Sequence, residues 1–324
     1  MRGDFLKPSR QELIRGAVQI ARPDYWFKNI FVLPGVLFAA SFTQFEVVGM
    51  IEASILAFIV GALLASSNYI VNEYFDAPSD KHHPLKGSRP FAKGGFPRWI
   101  AGIEYGFFLV AGLAIAAGMG PQFLLASVLF VFSGLAYNVP PVRLKDRPYM
   151  DIISESFNIV LRLLLGWSAM RPEVLPPASL ALSFWGAGAF IMTTKRLAEY
   201  RFLDNHDRAV LYRSSFSNYS EKRLQIISIF FISVASLFLG VFLIKYRVQY
   251  ILLFPFLAAY FSWYFSIGMK EESVAQHPEQ LYKETKFILF TGLLVVGLIF
   301  LTVVDLPLLK QLLSTHFIAT PFAK

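Results

Sequence analysis

The sequence predicts an all-α fold: a polytopic membrane helical bundle of about nine transmembrane helices, forming one domain over residues 1–324. Three observations predict it. Hydrophobic residues make up 55% of the chain and charged residues only 16%, against about 25% charged in a soluble domain. Apolar runs of roughly 20 residues, the length that crosses a bilayer, recur from end to end. The basic residues then fall into alternate loops, as a membrane topology requires. A mean hydropathy of +0.51 and 33 phenylalanines agree.

Residues 1–28 carry scattered charges, with no compact apolar run or small-residue cleavage site. They read as an amphipathic segment lying on the membrane surface, not as a secretory signal. Spans are expected near 29–44, 48–71, 99–118, 122–138, 151–170, 178–195, 225–244, 249–269 and 287–305. Gly118-Met119-Gly120-Pro121 is the break between the third and fourth. No low-complexity tract or soluble appendage is visible.

Of the 30 Lys and Arg residues, 24 fall on one side of this arrangement and five on the other, with Arg162 inside a span. The rich side is expected to be cytoplasmic, with the N-terminus on it. The formal charge of +8 is thus mostly topology signal, and nucleic acid is not an expected partner. The absence of cysteine excludes disulfides, thiolate nucleophiles and cysteine-based metal centres within these residues. The sequence carries no signal for oligomeric state. The longer loops lie on the basic side, so the working face is expected there.

The second span ends in Asn68-Tyr69-Ile70-Val71-Asn72-Glu73-Tyr74-Phe75-Asp76-Ala77-Pro78-Ser79-Asp80. Asn68, Asn72 and Asp76 are four apart and stack on one helix face. Asp80 continues the row, although Pro78 is expected to end or kink the helix before it. Asn72, Asp76 and Asp80 offer the oxygens that a magnesium ion takes when substrate phosphates and water complete its shell. The plain alternative is a polar helix end caught at headgroup level. Lys81, His82, His83, Lys86, Arg89 and Lys93 follow. Lys86 and Arg89 suit phosphate oxygens, whereas Lys93 and Arg98 read as topology charges. Two adjacent histidines without a third ligand do not make a zinc site.

The loop after the fourth span reads Tyr137-Asn138-Val139-Pro140-Pro141-Val142-Arg143-Leu144-Lys145-Asp146-Arg147-Pro148-Tyr149-Met150-Asp151. The proline pair stops the preceding helix. Asp151 opens the fifth span, and Glu155, Asn158 and Arg162 share its helix face. Central charged residues cost roughly 2.5–3.5 kcal/mol each against lipid, so this stripe should line a wet cavity or pair inside the bundle. A purely structural Glu155–Arg162 or Asp151-centred ion pair is the competing reading. Lys195 and Arg196 end the sixth span, with Glu199 one turn beyond Lys195. They are candidates for anion binding.

Asn72-Glu73-x-x-Asp76-x-x-x-Asp80 resembles the first aspartate-rich motif of UbiA-superfamily intramembrane transferases, and the run from Tyr137 through Arg143-Leu144-Lys145 to Asp151 resembles their second conserved region. Glu73 replaces the usual Asp, and Asp146 and Asp151 stand five apart where prenyl-diphosphate users commonly have two Asp four apart. Arg22-Pro23-x-x-Trp26-x-Lys28-Asn29, His83-Pro84-x-Lys86-x-x-Arg89-Pro90 and Lys195-Arg196-x-x-Glu199 resemble the decaprenyl-phosphate phosphoribosyltransferase branch. Pro140-Pro141 before Arg143-Leu144-Lys145 is closer to prenyl-transferring relatives.

The resemblance implies a UbiA-like bundle and a magnesium-dependent transferase with diphosphate as leaving group. Its partners would be a diphosphate-bearing donor, an isoprenoid lipid and the membrane. The expected reaction moves 5-phosphoribose from phosphoribosyl diphosphate to a polyprenyl phosphate. The alternative moves a polyprenyl group to an aromatic or other small acceptor. Asn72, Asp76 and Asp80 would hold the metal, and Asp76, Asp80, Lys145 and Asp151 would be catalytic. Lys28, Asn68, Lys86, Arg89, Tyr137, Arg143, Glu155, Asn158, Arg162, Lys195 and Arg196 would bind substrate. A transporter is a remote third reading, because intramembrane charges also mark ion paths. No internal repeat supports it.

Overall fold

The structure is a computed structural model that describes residues 9–43, 46–81, 86–203, 206–276, 278–304 and 306–312. Every regular element among them is helical. The chain runs α1 (Arg10–Ala21), a 3-10 segment Pro23–Phe31, α2 (Val32–Ala40), α3 (Val47–Asp80), α4 (Pro90–Lys93), α5 (Arg98–Gly118) and α6 (Pro121–Asn138). A 3-10 turn Leu144–Asp146 precedes α7 (Met150–Met170), α8 (Ala178–Leu203), α9 (His206–Tyr212) and α10 (Glu221–Tyr246). A 3-10 segment Val248–Leu253 then leads into α11 (Phe254–Gly268), followed by α12 (Thr285–Val303) and α13 (Pro307–Leu312).

Local chemistry sets the boundaries. Ser9 caps α1 by accepting from the Glu12 N–H, while the Glu12 carboxylate accepts from the Ser9 N–H at 2.7 Å. This reciprocal pair satisfies two donors that a helix start leaves open. Between α5 and α6, Gly120 takes φ 112°, and Pro121 opens the next helix. Pro tolerates that first position because its missing N–H has no partner there anyway.

Among the described residues, seven helices are long and apolar enough to cross a membrane, by length and composition. The expected count of nine is not carried by the other two segments. In the first of these, residues 29–40 fold as the end of a 3-10 segment and the nine-residue α2. α8 has 26 residues, but Gly, Ser and Thr dilute its hydrophobicity below that of the seven. On α3, Ile51, Ile55 and Ile59 are exposed at four-residue spacing, and on α12 Leu289, Leu293, Val296 and Phe300 are exposed at spacings of three or four. Such stripes are what a lipid solvent selects.

The described residues group into two compact units, Met1–Pro176 with Asn205–Tyr219, and Pro177–Asp204 with Ser220–Lys324. In the first, α3 packs against α5, α6 and α7, and α2 lies along α7. The α2–α7 crossing is closed by glycines. A Cβ on Gly166 would sit 1.9 Å from the Val32 carbonyl oxygen, and one on Gly35 2.2 Å from that of Leu163. Small residues let membrane helices approach this closely. In the second unit, α8 packs along α10, with α11 beside α8.

The length of α3 positions the site. Its 34 residues make a helix of about 51 Å at 1.5 Å per residue, against a hydrocarbon core of about 30 Å. Its last turns therefore reach past the apolar layer. Pro78 does not end the helix where expected. It falls in the last turn, where its missing N–H frees only the Tyr74 carbonyl, and α3 continues to Asp80.

Candidate active site

The end of α3, the end of α6 and the loop before α7 meet in the first unit. Because α3 stays helical through Asp80, Asn72, Asp76 and Asp80 form one row on its face. Asp76 is the centre. Its Oδ1 accepts from Lys145 Nζ at 2.5 Å and from Arg143 Nη2 at 2.9 Å, and its Oδ2 accepts from Asn72 Nδ2 at 3.1 Å. Arg143 also donates from Nε to Asp146 at 2.5 Å.

The loop reaches α3 through two left-handed residues, Arg143 at φ 32° and Tyr149 at φ 67°. The strain in this region is of order 1–3 kcal/mol per non-glycine residue, so the contacts that hold them must outweigh it. Lys145 is 6% exposed. Burial pulls its ammonium below the ordinary lysine range, and Asp76 only partly offsets this. Burial also disfavours the charged Arg143, but Asp146 and Asp76 outweigh it and hold its pKa above the usual value.

Asn138 joins these groups and was not among the expected site residues. Its Oδ1 accepts from Asn72 Nδ2 at 2.6 Å and from Lys145 Nζ at 3.0 Å, and its Nδ2 donates to the Gly134 carbonyl at 2.9 Å. The available signal was its position as the last helical residue before the proline pair. Gly134 also lets Asn68 fit, since a Cβ there would lie 2.2 Å from the Asn68 amide. Asn68 donates to the Phe130 carbonyl at 3.1 Å, about one turn below the acidic row.

Asp80 pairs with Arg89 at 2.5 Å. Lys86 lies in a described turn, but its side chain, with all of His82–Leu85, lies outside the described residues. Tyr137 is half-buried at the end of α6. Asp151 is fully buried and makes a separate set of contacts. It accepts from the Tyr219 hydroxyl at 2.6 Å and the Ser215 hydroxyl at 3.1 Å, while that Tyr219 oxygen accepts from the Tyr149 N–H at 2.7 Å. This triad fastens residues 214–219 to the loop and to the start of α7. Tyr219 and Ser215 were invisible to the sequence pattern, lying more than 60 positions away in a segment without a motif.

Arg162 is 7% exposed. Its Nε donates to Asn29 Oδ1 at 3.0 Å, its Nη1 to the Asn158 carbonyl at 3.3 Å, and its guanidinium lies 4.8 Å from the Phe130 ring centroid. The Glu155–Arg162 ion pair considered from sequence is not formed among the described residues; Glu155 is half-buried. Lys28 sits over the Tyr25 ring, its Nζ 4.5 Å from the centroid. Lys195 and Arg196 belong to the second unit, where Arg196 is buried and donates to Glu199 at 2.8 Å.

The described residues hold no group of three or more His, Cys, Asp or Glu arranged as a metal cage. Magnesium does not need one, because it keeps water and takes one or two carboxylates plus substrate oxygens. The row fits that pattern. Asn72 Oδ1 and Asp80 Oδ1 accept no hydrogen bond among the described residues, and Asp76 Oδ2 accepts only one. Two fixed cations beside this row suit a diphosphate, whose charge exceeds what one divalent ion neutralises.

Comparisons with known proteins place these features in context. A family model described as the UbiA prenyltransferase family matches residues 29–291. Over 231 residues the chain is 29% identical to a decaprenyl-phosphate phosphoribosyltransferase of Mycobacterium tuberculosis, covering 70% of this chain and 73% of that one. It is 26% identical over 181 residues to a lycopene elongase/hydratase of Haloarcula japonica, covering 55% and 59%. The fold matches that of a UbiA homologue from Archaeoglobus fulgidus, solved bound to DMAPP and Mg2+, with TM-score 0.67 and 21% identity over 90% of this chain and 100% of that one.

Proposed function

Because the chain belongs to the UbiA prenyltransferase family, we propose that this multi-pass membrane transferase moves 5-phosphoribose from phosphoribosyl diphosphate to a polyprenyl phosphate, with magnesium. The observation that carries the reading is the convergence of Lys145, Arg143 and Asn72 on Asp76, with Asn138 joining Lys145 to Asn72. The phosphoribosyl choice is supported by the 29% identity to a decaprenyl-phosphate phosphoribosyltransferase and by the Arg22-Pro23-x-x-Trp26-x-Lys28-Asn29 run.

In the transfer, the bond from ribose C1 to diphosphate breaks, and a bond from C1 to an oxygen of the lipid phosphate forms. Asn72, Asp76 and Asp80 would hold the metal, which supplies charge neutralisation to the leaving diphosphate. Lys145 and Arg143 stand fixed before substrate arrives, so the reaction needs no reorganisation of charge as the diphosphate departs. Asn138 orients Lys145 and Asn72 together. Asp151 acts by position: it ties residues 214–219 to the loop carrying Arg143 and Lys145. Lys28, Arg162, Lys195 and Arg196 are assigned to the substrates' anionic and lipid portions. The excess of basic residues on the site's side supports a cytoplasmic face, with the N-terminus on that side.

Prenyl transfer to a small acceptor is the second reading, favoured by Pro140-Pro141 before Arg143 and by the likeness to a lycopene elongase/hydratase. Purified protein with magnesium is given either phosphoribosyl diphosphate and a polyprenyl phosphate, or a prenyl diphosphate and aromatic acceptors. A lipid-linked phosphoribose from the first pair alone supports the proposal; prenylated product from the second alone overturns it. Undiminished activity in Asp76→Asn would remove the metal assignment.

A further inference from the structure

On the neighbouring face of α3, one position along from Asn72, Glu73 points away from the acidic row. It is 1% exposed, and neither carboxyl oxygen has a hydrogen-bond partner. The Phe91 backbone N–H faces it without reaching hydrogen-bond geometry. Removing a carboxyl group from water without compensation costs several kcal/mol, so the fold gains nothing from Glu73 as it stands.

Glu73 lines a cavity of about 360 Å³, within the usual range for small-molecule sites, together with Gln19, Arg22, Asp24, Tyr25 and Arg89. Arg22 ends α1 in the left-handed region at φ 52°, with its guanidinium 4.9 Å from the Tyr25 ring centroid and 5.7 Å from that of Tyr69. Its guanidinium forms no hydrogen bond or ion pair among the described residues, only these ring contacts. Arg89 pairs through Nη1 with Asp80 and also lines the cavity. Neither arginine closes on Glu73 to ion-pair distance.

The geometry points to a sugar-phosphate subsite: Arg22 and Arg89 take a phosphate monoester, and Glu73 accepts hydrogen bonds from ring hydroxyls. A purely anionic ligand would not call for a buried carboxyl, and a purely apolar one would not call for two guanidinium groups. A phosphorylated sugar satisfies both. Arg89 joins the cavity to the acidic row through Asp80, so one donor can set its diphosphate on the row and its phosphorylated sugar in the cavity. This inference rests on the phosphoribosyl reading and adds the side chains that would select the sugar.

The test uses the full chain in detergent with magnesium and calorimetric titration of ribose 5-phosphate, 2-deoxyribose 5-phosphate and pyrophosphate. The intact protein should bind the ribose compound about tenfold more tightly than the deoxy compound, as expected when one charged hydrogen bond is lost. Glu73→Leu should bind both sugars equally and weakly, keep its pyrophosphate affinity within about twofold, and melt at a higher temperature because a buried unpartnered carboxyl is gone. Arg22→Met should weaken both sugar phosphates about tenfold or more and leave pyrophosphate unchanged. Turnover of phosphoribosyl diphosphate with undiminished ribose-over-deoxyribose preference in Glu73→Leu would overturn the subsite alone. Turnover of prenyl diphosphate only, with no ribose 5-phosphate binding, would overturn the phosphoribosyl reading and the subsite with it.

Discussion

Lys145→Met tests the site most directly. The ammonium lies 2.5 Å from Asp76 Oδ1 and 3.0 Å from Asn138 Oδ1. Methionine keeps the length and apolar stem and removes only the charge and its donors. Neither acceptor is then left bare, because Asp76 retains Arg143 and Asn72, and Asn138 retains Asn72. The stability cost should therefore stay near that of a charged hydrogen bond, about 1.5–3 kcal/mol, below the 3–5 kcal/mol of an ion pair broken outright. The catalytic cost should be larger. Losing one fixed donor to a developing anion typically lowers kcat about 10²–10³-fold, or roughly 2.7–4 kcal/mol. The assay is phosphoribosyl transfer by the purified variant at saturating donor, with a melting curve on the same sample. A folded variant with kcat within about threefold of the parent would refute the argument. Pairing it with Asn138→Ala adds a check: the two losses should fall short of additive, since Asn138 acts partly through Lys145.

Three other outcomes follow from the geometry. Gly166→Ala drives a methyl group into the Val32 carbonyl and should cost about 1–3 kcal/mol or more, read as a lower melting temperature in detergent; an unchanged midpoint would contradict the α2–α7 crossing. Tyr219→Phe removes both the 2.6 Å bond to Asp151 and the acceptor of the Tyr149 N–H. It should loosen residues 214–219 by about 1–3 kcal/mol, seen as faster amide exchange there, and wild-type protection would count against Asp151 as their anchor. The Ser9 backbone N–H and hydroxyl hold the Glu12 carboxyl below its ordinary value. The stabilisation this gives α1 is present above the unfolded glutamate pKa and is lost as pH falls through the lower folded value. Amide exchange in α1 should thus accelerate on acidification below about pH 4, and Glu12→Gln should abolish that dependence; the same response in the variant would be inconsistent with the cap.

How far the site could be read in advance depended on the range of each interaction. Asn72, Asp76 and Asp80 share a face because 3.6 residues make a turn, and that follows from spacing alone. The expectation that Pro78 would break the row failed because a proline in a last turn loses one bond and little else. Arg143 and Lys145 could be assigned to an anion, but not to Asp76 itself, which lies more than 60 positions away. Asp151 carries the motif's signature, yet its burial turns it towards Tyr219 and Ser215. Span counting agrees with the structure where composition is extreme; the segments expected at 29–44 and 178–195 lie outside the seven long apolar helices of the described residues, because α2 is short and α8 is rich in Gly, Ser and Thr.

Composition, apolar run lengths and basic-residue placement determined that this chain is a membrane helical bundle, because hydrocarbon rewards those features wherever they occur along the chain. Helical periodicity likewise determined the acidic row. Only the tertiary structure decided that Asn138 joins Asn72 to Lys145, that Asp151 bonds Tyr219 and Ser215, and that Glu73 lines a cavity beside Arg22. Those outcomes depend on which helices approach one another, and that is fixed by glycine-sized contacts such as Gly166 on Val32, which leave no periodic trace in the sequence.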